Sequence, residues 1–192
     1  MVDYAPFSHR PPMEHQKPAV EELLKNDLYI LADDMGLGKT TSAILANILE
    51  QSSKTLIICP ASLKINWKRE IENYSNEKIS IIEGKVWHSS AYVIINYDIL
   101  KNFHSLDNEE VRTIINEKFD RIIIDEAHYI SNPKAQRTKI VNALTKSTGK
   151  VWLLTGTPMT SRPINYYNLL KLVESRVAKN WVAYVIRYCN GH

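Results

Sequence analysis

Two short runs in this sequence carry chemistry that neither performs alone. The first is Asp33-Asp-Met-Gly-Leu-Gly-Lys-Thr40, which follows an apolar run, Leu28–Ala32, and opens a helical pattern. Successive backbone N–H groups in such a turn make a concave anion site, and the helix N-terminus adds partial positive charge. Gly36 and Gly38 allow backbone angles that other residues resist, so the chain can approach phosphate closely. The candidate nucleotide-binding residues are Asp34, Met35, Gly36, Leu37, Gly38, Lys39, Thr40 and Thr41. Lys39 suits the β- and γ-phosphates, and the Thr40 hydroxyl suits Mg²⁺. The general G-x-x-x-x-G-K-[ST] pattern has glycine where this sequence has Asp33. The competing reading is an ordinary strand–turn–helix junction with a surface lysine.

The second run is Arg121-Ile-Ile-Ile-Asp-Glu-Ala-His128, with Asp125 placed 86 residues after Lys39. An apolar strand ends here in two adjacent carboxylates, where ligands gather in an open α/β sheet. Asp125 is the candidate Mg²⁺ carboxylate. Glu126 is the candidate base that orients or deprotonates the attacking water. Taken alone, the pair could merely cap a following helix. Beside a Gly-Lys-Thr turn it completes a two-part nucleotide-hydrolysis constellation, with Lys39, Asp125 and Glu126 as its catalytic members.

These residues need a frame. Six short apolar runs recur, at Leu28–Ala32, Thr55–Cys59, Ile79–Ile82, Tyr92–Asn96, Arg121–Ile124 and Val151–Leu154. Most are continuous rather than alternating, as strands covered on both faces are. Helical patterns lie between them, over Gly38–Glu50, Leu63–Tyr74 and Ala135–Lys146, with another over Glu14–Lys25. Alternation of this kind predicts a mostly parallel α/β sheet with helices on both faces. Asn102–Asn116 reads as an exposed loop and helix. Trp67 shares a helical stripe with Leu63 and Ile71, and Trp152 lies in an apolar run, so both are expected in the core.

Composition narrows the class. The chain has 192 residues, 44% of them hydrophobic and 23% charged, which suits a globular domain with a sizeable core. Net charge is +3, which permits a nucleic-acid partner without requiring one. Two cysteines, Cys59 and Cys189, exclude a disulfide scaffold and a cysteine-rich zinc site. No apolar run reaches the roughly 18 residues of a membrane span, and Met1–Arg10 lacks an apolar signal core. The expectation is a soluble intracellular protein.

With these motifs in order, the chain resembles superfamily 2 helicases of the Swi/Snf branch. Residues 33–40, Asp125-Glu-Ala-His128 and Leu154-Thr-Gly-Thr-Pro158 resemble its motifs I, II and III. Asp33, off-pattern for the general loop, is usual in that branch. Pro60-Ala-Ser-Leu63 with Trp67 and Glu70 resembles motif Ia, and Ile94-Ile-Asn-Tyr97 resembles motif Ib. Ile130-Ser-Asn-Pro133 with Arg137-Thr-Lys139 resembles the segment after motif II. The resemblance runs from about His9 to about Tyr188.

The resemblance implies an ATP- and Mg²⁺-dependent translocase on double-stranded or branched DNA, built on a RecA-like P-loop lobe. It makes Gln16 an adenine-recognising residue, although a solvated helix residue is the plain alternative. It makes Ser62, Lys64, Asn96 and Tyr97 candidate contacts to DNA phosphate; Ser62 is equally a candidate helix N-cap. It makes His128, Thr155 and Thr157 candidates for coupling hydrolysis to DNA, with the threonines reaching toward His128 or Asp125. The basic residues Lys134, Arg137, Lys139, Lys146 and Lys150 are either DNA contacts or a solvated face.

The expected organisation is a lead-in and adenine helix over 1–27, a RecA-like lobe over 28–175 and a C-terminal segment over 176–192. A second RecA-like lobe, with motifs IV to VI and an arginine finger, is expected as a partner and is missing from these 192 residues. Two rival readings remain. One is an RNA-directed helicase of the Asp-Glu-Ala-His type. The other is a nucleotide-binding module without turnover in isolation.

Overall fold

The six apolar runs pair into one sheet in the order β1-β6-β5-β2-β4-β3, and every pairing is parallel. A computed structural model describes residues 2–84, 86–101, 117–157 and 163–189. The expected loop and helix at Asn102–Asn116 and the proline of motif III, Pro158, lie outside the described residues. The strands are β1 (Leu28–Leu31), β2 (Thr55–Cys59), β3 (Ile79–Ile81), β4 (Tyr92–Asn96), β5 (Arg121–Asp125) and β6 (Val151–Leu154).

The helices are α1 (Lys17–Lys25), α2 (Lys39–Leu49), α3 (Lys64–Glu72), α4 (Tyr97–Lys101), α5 (Gln136–Thr145), α6 (Tyr167–Leu172) and α7 (Trp181–Tyr188). Short 3-10 turns lead directly into three of them, Pro163–Tyr166 into α6 among them. Glu14–Gln16 leads into α1, and Ala61–Leu63 leads into α3, so both helices start later than periodicity alone predicts.

β2, β4, β5 and β6 are buried along their whole length, which is why their sequences do not alternate. Their side chains still divide by parity. Leu56, Ile58, Ile122, Ile124 and Leu153 pack with Leu100, Ile140, Val141 and Leu169 of α4, α5 and α6. Ile57, Ile94, Ile123 and Leu154 pack with Val20, Leu23, Ile44, Leu45, Trp67 and Ile71 of α1, α2 and α3. The helices therefore cover both faces, as expected. Trp67 and Trp152 are fully buried. The lead-in joins the second core: Phe7 is buried and meets Tyr74 edge-on at 5.9 Å, and His9 Nε2 lies 3.0 Å from the Asn73 carbonyl oxygen.

Strand order sets the position of the motifs. β1, β6 and β5 are neighbours, and their C-terminal ends lead into motifs I, III and II. β2 and β4 come next, and lead into motifs Ia and Ib. Register aligns Leu31 with Leu154 and Leu154 with Asp125, so three motifs begin at one level.

The opposite ends of these strands are fastened by charge. Arg121 is buried at the start of β5, where it pairs with Glu50 and donates to the Asp27 carbonyl oxygen at 2.9 Å. Its guanidinium stacks 3.8 Å from the Trp152 ring centre. Lys150 reaches Glu50 at 2.8 Å and Asp27 at 3.7 Å. Lys150 thus has ion-pair partners within the fold, a role beside the DNA contact and the solvated face expected for it.

Candidate nucleotide site

The loop between β1 and α2 turns on two glycines in the left-handed region, Gly36 at φ 83° and Gly38 at φ 74°. Gly38 is the N-cap of α2. It offers no side-chain cap, and the first turn of α2 holds no acidic residue. The leading amides of an eleven-residue helix thus keep their capacity for an anion.

Gly38 is also constrained by packing, because a Cβ there would overlap Gln16 Nε2. Gln16 is 6% exposed, which rules out the solvated alternative. Its Oε1 accepts the Met13 amide at 2.9 Å, and its Nε2 faces the phosphate loop. The lead-in and the loop are therefore in direct contact.

Lys39 opens α2. Its ammonium donates to the Asp33 and Asp34 carbonyl oxygens, each at 2.8 Å. A phosphate oxygen would exchange for these carbonyls. Gly156, after β6, closes over the same group. A Cβ on Gly156 would lie 2.6 Å from Met35 Cγ and 3.5 Å from Lys39 Nζ. Met35 and Leu37 have exposed side chains, so their contribution to the loop is through the main chain. Thr40 and Thr41 occupy the first turn of α2.

Asp125 ends β5 and is 6% exposed. Trp67 Nε1 donates to its Oδ2 at 2.8 Å, and the Glu126 amide donates to its Oδ1 at 2.9 Å. Burial pushes the Asp125 carboxyl above its ordinary range, against the two hydrogen bonds and the Lys39 charge, which pull it down. Glu126 sits at φ 51°, uncommon for a residue with a side chain. It precedes a 3-10 turn, Ala127–Ile130, and makes no side-chain cap, so the capping alternative does not hold. Its Oε2 lies 3.1 Å from His128 Nδ1, and Thr157 Oγ1 lies 3.4 Å from the same nitrogen. Thr155 is buried; its amide donates to the Leu31 carbonyl oxygen at 3.1 Å and its Oγ1 accepts the Thr157 amide at 3.2 Å. Of the two threonines expected to reach His128 or Asp125, Thr157 does so, while Thr155 holds the loop to β1.

The donor set fits a magnesium nucleotide. Among the described residues no three His, Cys, Asp or Glu side chains cluster as a cage for a metal. Mg²⁺ usually takes one or two carboxylates with substrate phosphates and waters. The Asp125 carboxylate, the Thr40 hydroxyl and the amides of α2 are donors of the kinds that combination needs.

The four candidate DNA contacts separate. Ser62 is exposed within the turn Ala61–Leu63 and makes no cap bond, since Leu63 is the N-cap of α3. Lys64 is half-buried, with its ammonium 3.2 Å from the Ile82 carbonyl oxygen. Asn96 is buried at the end of β4. Tyr97 is 2% exposed, and its hydroxyl donates to the Asp125 carbonyl oxygen at 2.6 Å. Tyr97 therefore cannot offer that hydroxyl to phosphate from this position. The ring instead stacks on Tyr129 at 5.2 Å, only 8° from parallel.

Sequence reasoning passed over three contributors: the Trp67 indole as a donor to Asp125, Gly156 as the space above Lys39, and Arg121 as the fastening below. The first had a signal, because a buried indole N–H needs an acceptor.

A parallel sheet with a phosphate loop after one strand and paired carboxylates after another defines a RecA-like nucleotide-binding lobe. Comparison with known proteins gives the family. The SNF2-related domain matches residues 15–186, and the chain belongs to that family. It is 33% identical over 187 residues to a SWI/SNF-related matrix-associated actin-dependent regulator of chromatin subfamily A-like protein 1 homolog of Caenorhabditis elegans, covering 92% of this chain and 26% of that protein. It is 31% identical to the human DNA annealing helicase and endonuclease ZRANB3 over 183 residues, covering 88% and 16%. The fold matches the Sulfolobus solfataricus SWI2/SNF2 ATPase core, solved in complex with dsDNA, with a TM-score of 0.75 at 20% identity, over 93% of this chain and 39% of that one. The chain thus spans about a quarter or less of the length of these two curated relatives. Among the described residues no helix is long and apolar enough to cross a membrane.

Proposed function

We propose that this chain is the first lobe of an ATPase that moves along or remodels double-stranded DNA. The observation that carries the reading is the meeting of Lys39, Gly156, Asp125, Glu126, His128 and Thr157 at the ends of three adjacent strands. In this reading Gln16 meets adenine and residues 34–41 hold the phosphates. Lys39 trades the Asp33 and Asp34 carbonyls for phosphate oxygens. Thr40 and Asp125 would hold Mg²⁺, which when bound would offset the charge of the phosphates. Glu126 orients a water and takes its proton, while His128, which Thr157 meets at the same nitrogen, holds the Glu126 carboxylate in place.

Ser62 and Lys64, beyond β2, remain the candidates for phosphate contacts to duplex or branched DNA. Such contacts fix position without reading bases and weaken as salt rises. A second RecA-like lobe closes the site and supplies an arginine; that contribution is worth about 10³–10⁵ in rate in related phosphoryl-transfer sites. This chain alone is therefore a weak ATPase.

The test is ATP binding and hydrolysis by the chain, with duplex DNA, with RNA and with neither. Lys39→Ala should lose Mg²⁺-dependent binding. Glu126→Gln should keep binding and lose what turnover there is. Stimulation by RNA rather than duplex DNA would replace the DNA assignment, and absence of nucleotide binding would remove the site.

A further inference from the structure

Asp125 is held at two different atoms by two aromatic side chains, and each belongs to a segment that follows a strand lying beyond β5 from β1 and the phosphate loop. Trp67, from α3 after β2, donates its indole N–H to the side-chain Oδ2 at 2.8 Å. Tyr97, the first residue of α4 after β4, donates its hydroxyl to the main-chain oxygen at 2.6 Å. Both rings are buried, so neither bond is shared with bulk water. The Glu126 amide takes the remaining carboxylate oxygen at 2.9 Å. Two donors on separate oxygens fix the carboxylate plane, and each oxygen retains a lone pair for a cation.

The arrangement is more than packing. A phenylalanine would fill much of either place with apolar surface and no polar atom to satisfy. Here both polar atoms converge on one residue. They come from α3 and α4, which follow two strands paired to each other, β2 and β4. β2 pairs in turn with β5, which carries Asp125. Tyr97 is further locked by its stack on Tyr129, whose carbonyl oxygen accepts Arg137 Nε at 2.8 Å.

We propose that Trp67 and Tyr97 are positioning residues that clamp Asp125 and set its affinity for Mg²⁺, so that displacement of either following segment changes metal binding. The proposal rests on the reading of Asp125 as the metal carboxylate. Partners that orient a metal ligand typically govern about 10- to 100-fold in metal affinity. The motif Ia and Ib segments thereby act on the nucleotide site through the geometry of one side chain.

The experiment titrates Mg²⁺ into the chain with methylanthraniloyl-ATP and reads fluorescence, with a parallel series in EDTA. Trp67→Phe and Tyr97→Phe should each raise the Mg²⁺ concentration for half-maximal binding, by about tenfold for Trp67→Phe. Binding in EDTA should stay at the parent value for both. Asp125→Asn serves as the reference loss. A purely structural role would lower the melting temperature and leave the Mg²⁺ requirement unchanged, which overturns the proposal. If Trp67→Phe does not fold, Tyr97→Phe, which removes a single oxygen, decides. If Asp125→Asn also leaves the Mg²⁺ requirement unchanged, the metal-site reading fails and the clamp with it. A response from Asp125→Asn alone defeats only the clamp.

Discussion

Glu126 Oε2 lies 3.1 Å from His128 Nδ1, and that same nitrogen is 3.4 Å from Thr157 Oγ1. The carboxylate that would activate water is thus tied to the loop after β6, through one imidazole. Removing the imidazole frees Glu126 without touching the phosphate loop. His128→Ala is expected to leave nucleotide affinity within twofold and to cut duplex-stimulated hydrolysis by about tenfold, the size of an ordinary coupling energy. Thr157→Val should fall in the same direction and by less, because Glu126 keeps its histidine. Steady-state hydrolysis beside equilibrium nucleotide binding separates the two quantities. A loss of binding equal to the loss of rate would mean that His128 serves the fold of the loop.

The two loop glycines make different demands. Gly36 has a positive φ and nothing within 4 Å of a Cβ, whereas Gly38 has a positive φ and Gln16 Nε2 in the way. Gly36→Ala should cost about 1–2 kcal/mol, the left-handed penalty alone. Gly38→Ala should cost more, and Gln16→Ala should restore part of the difference by removing the obstruction. Urea unfolding of the parent and the four variants, including the double variant, checks this coupling. Equal costs for both glycines would show that Gln16 moves aside freely.

Most of this frame is legible in the sequence because its physics is local. Short β-branched apolar runs alternating with longer helical patterns read as strands of a covered sheet by their length and composition, and all six runs are strands. The phosphate loop is equally readable, since glycine spacing and a following helix belong to one stretch of chain. What escapes is long-range pairing of polar atoms. Tyr97 reads as a polar group at a strand end, yet its hydroxyl turns inward to a carbonyl 28 residues away. Trp67 reads as core and is core, but its N–H finds Asp125 58 residues away. Periodicity reports which face a residue takes, and says nothing of the acceptor waiting there. The later start of α3 has a local cause instead: Pro60 holds an extended backbone and the chain enters through a 3-10 turn.

The two cysteines should differ sharply in reactivity. Cys59 is buried at the end of β2, and burial together with the Asp125 charge pushes its thiol up to about 12. The thiolate is the nucleophile, so Cys59 should resist iodoacetamide at pH 8 while Cys189, half-buried after α7, reacts. Mass spectrometry of the native chain should find one label, on Cys189, and two after denaturation. Early labelling of Cys59 would reveal opening of the sheet at the level of Asp125.

The charge cluster beneath the sheet should make stability fall in acid through Glu50. Burial raises the Glu50 carboxyl, but hydrogen bonds from Arg121 and Lys150 outweigh it and hold it below its ordinary 4.5. A carboxyl depressed in the folded state stabilises above its unfolded value, and that contribution is lost as pH falls through the lower folded value. Glu50→Gln removes the charge at every pH and leaves buried Arg121 with Asp27 as its remaining partner. At pH 7 the substitution should cost about 3 kcal/mol, the range for breaking a buried pair. The gap between parent and variant should narrow below about pH 4.5, because a protonated Glu50 no longer attracts Arg121. Asp120 and Glu117 are also held below their ordinary values, so both proteins lose stability in acid. The difference between them isolates Glu50. Urea unfolding from pH 7 to pH 3 measures it, and a gap that stays constant across that range would mean that the cluster acts by packing rather than by charge.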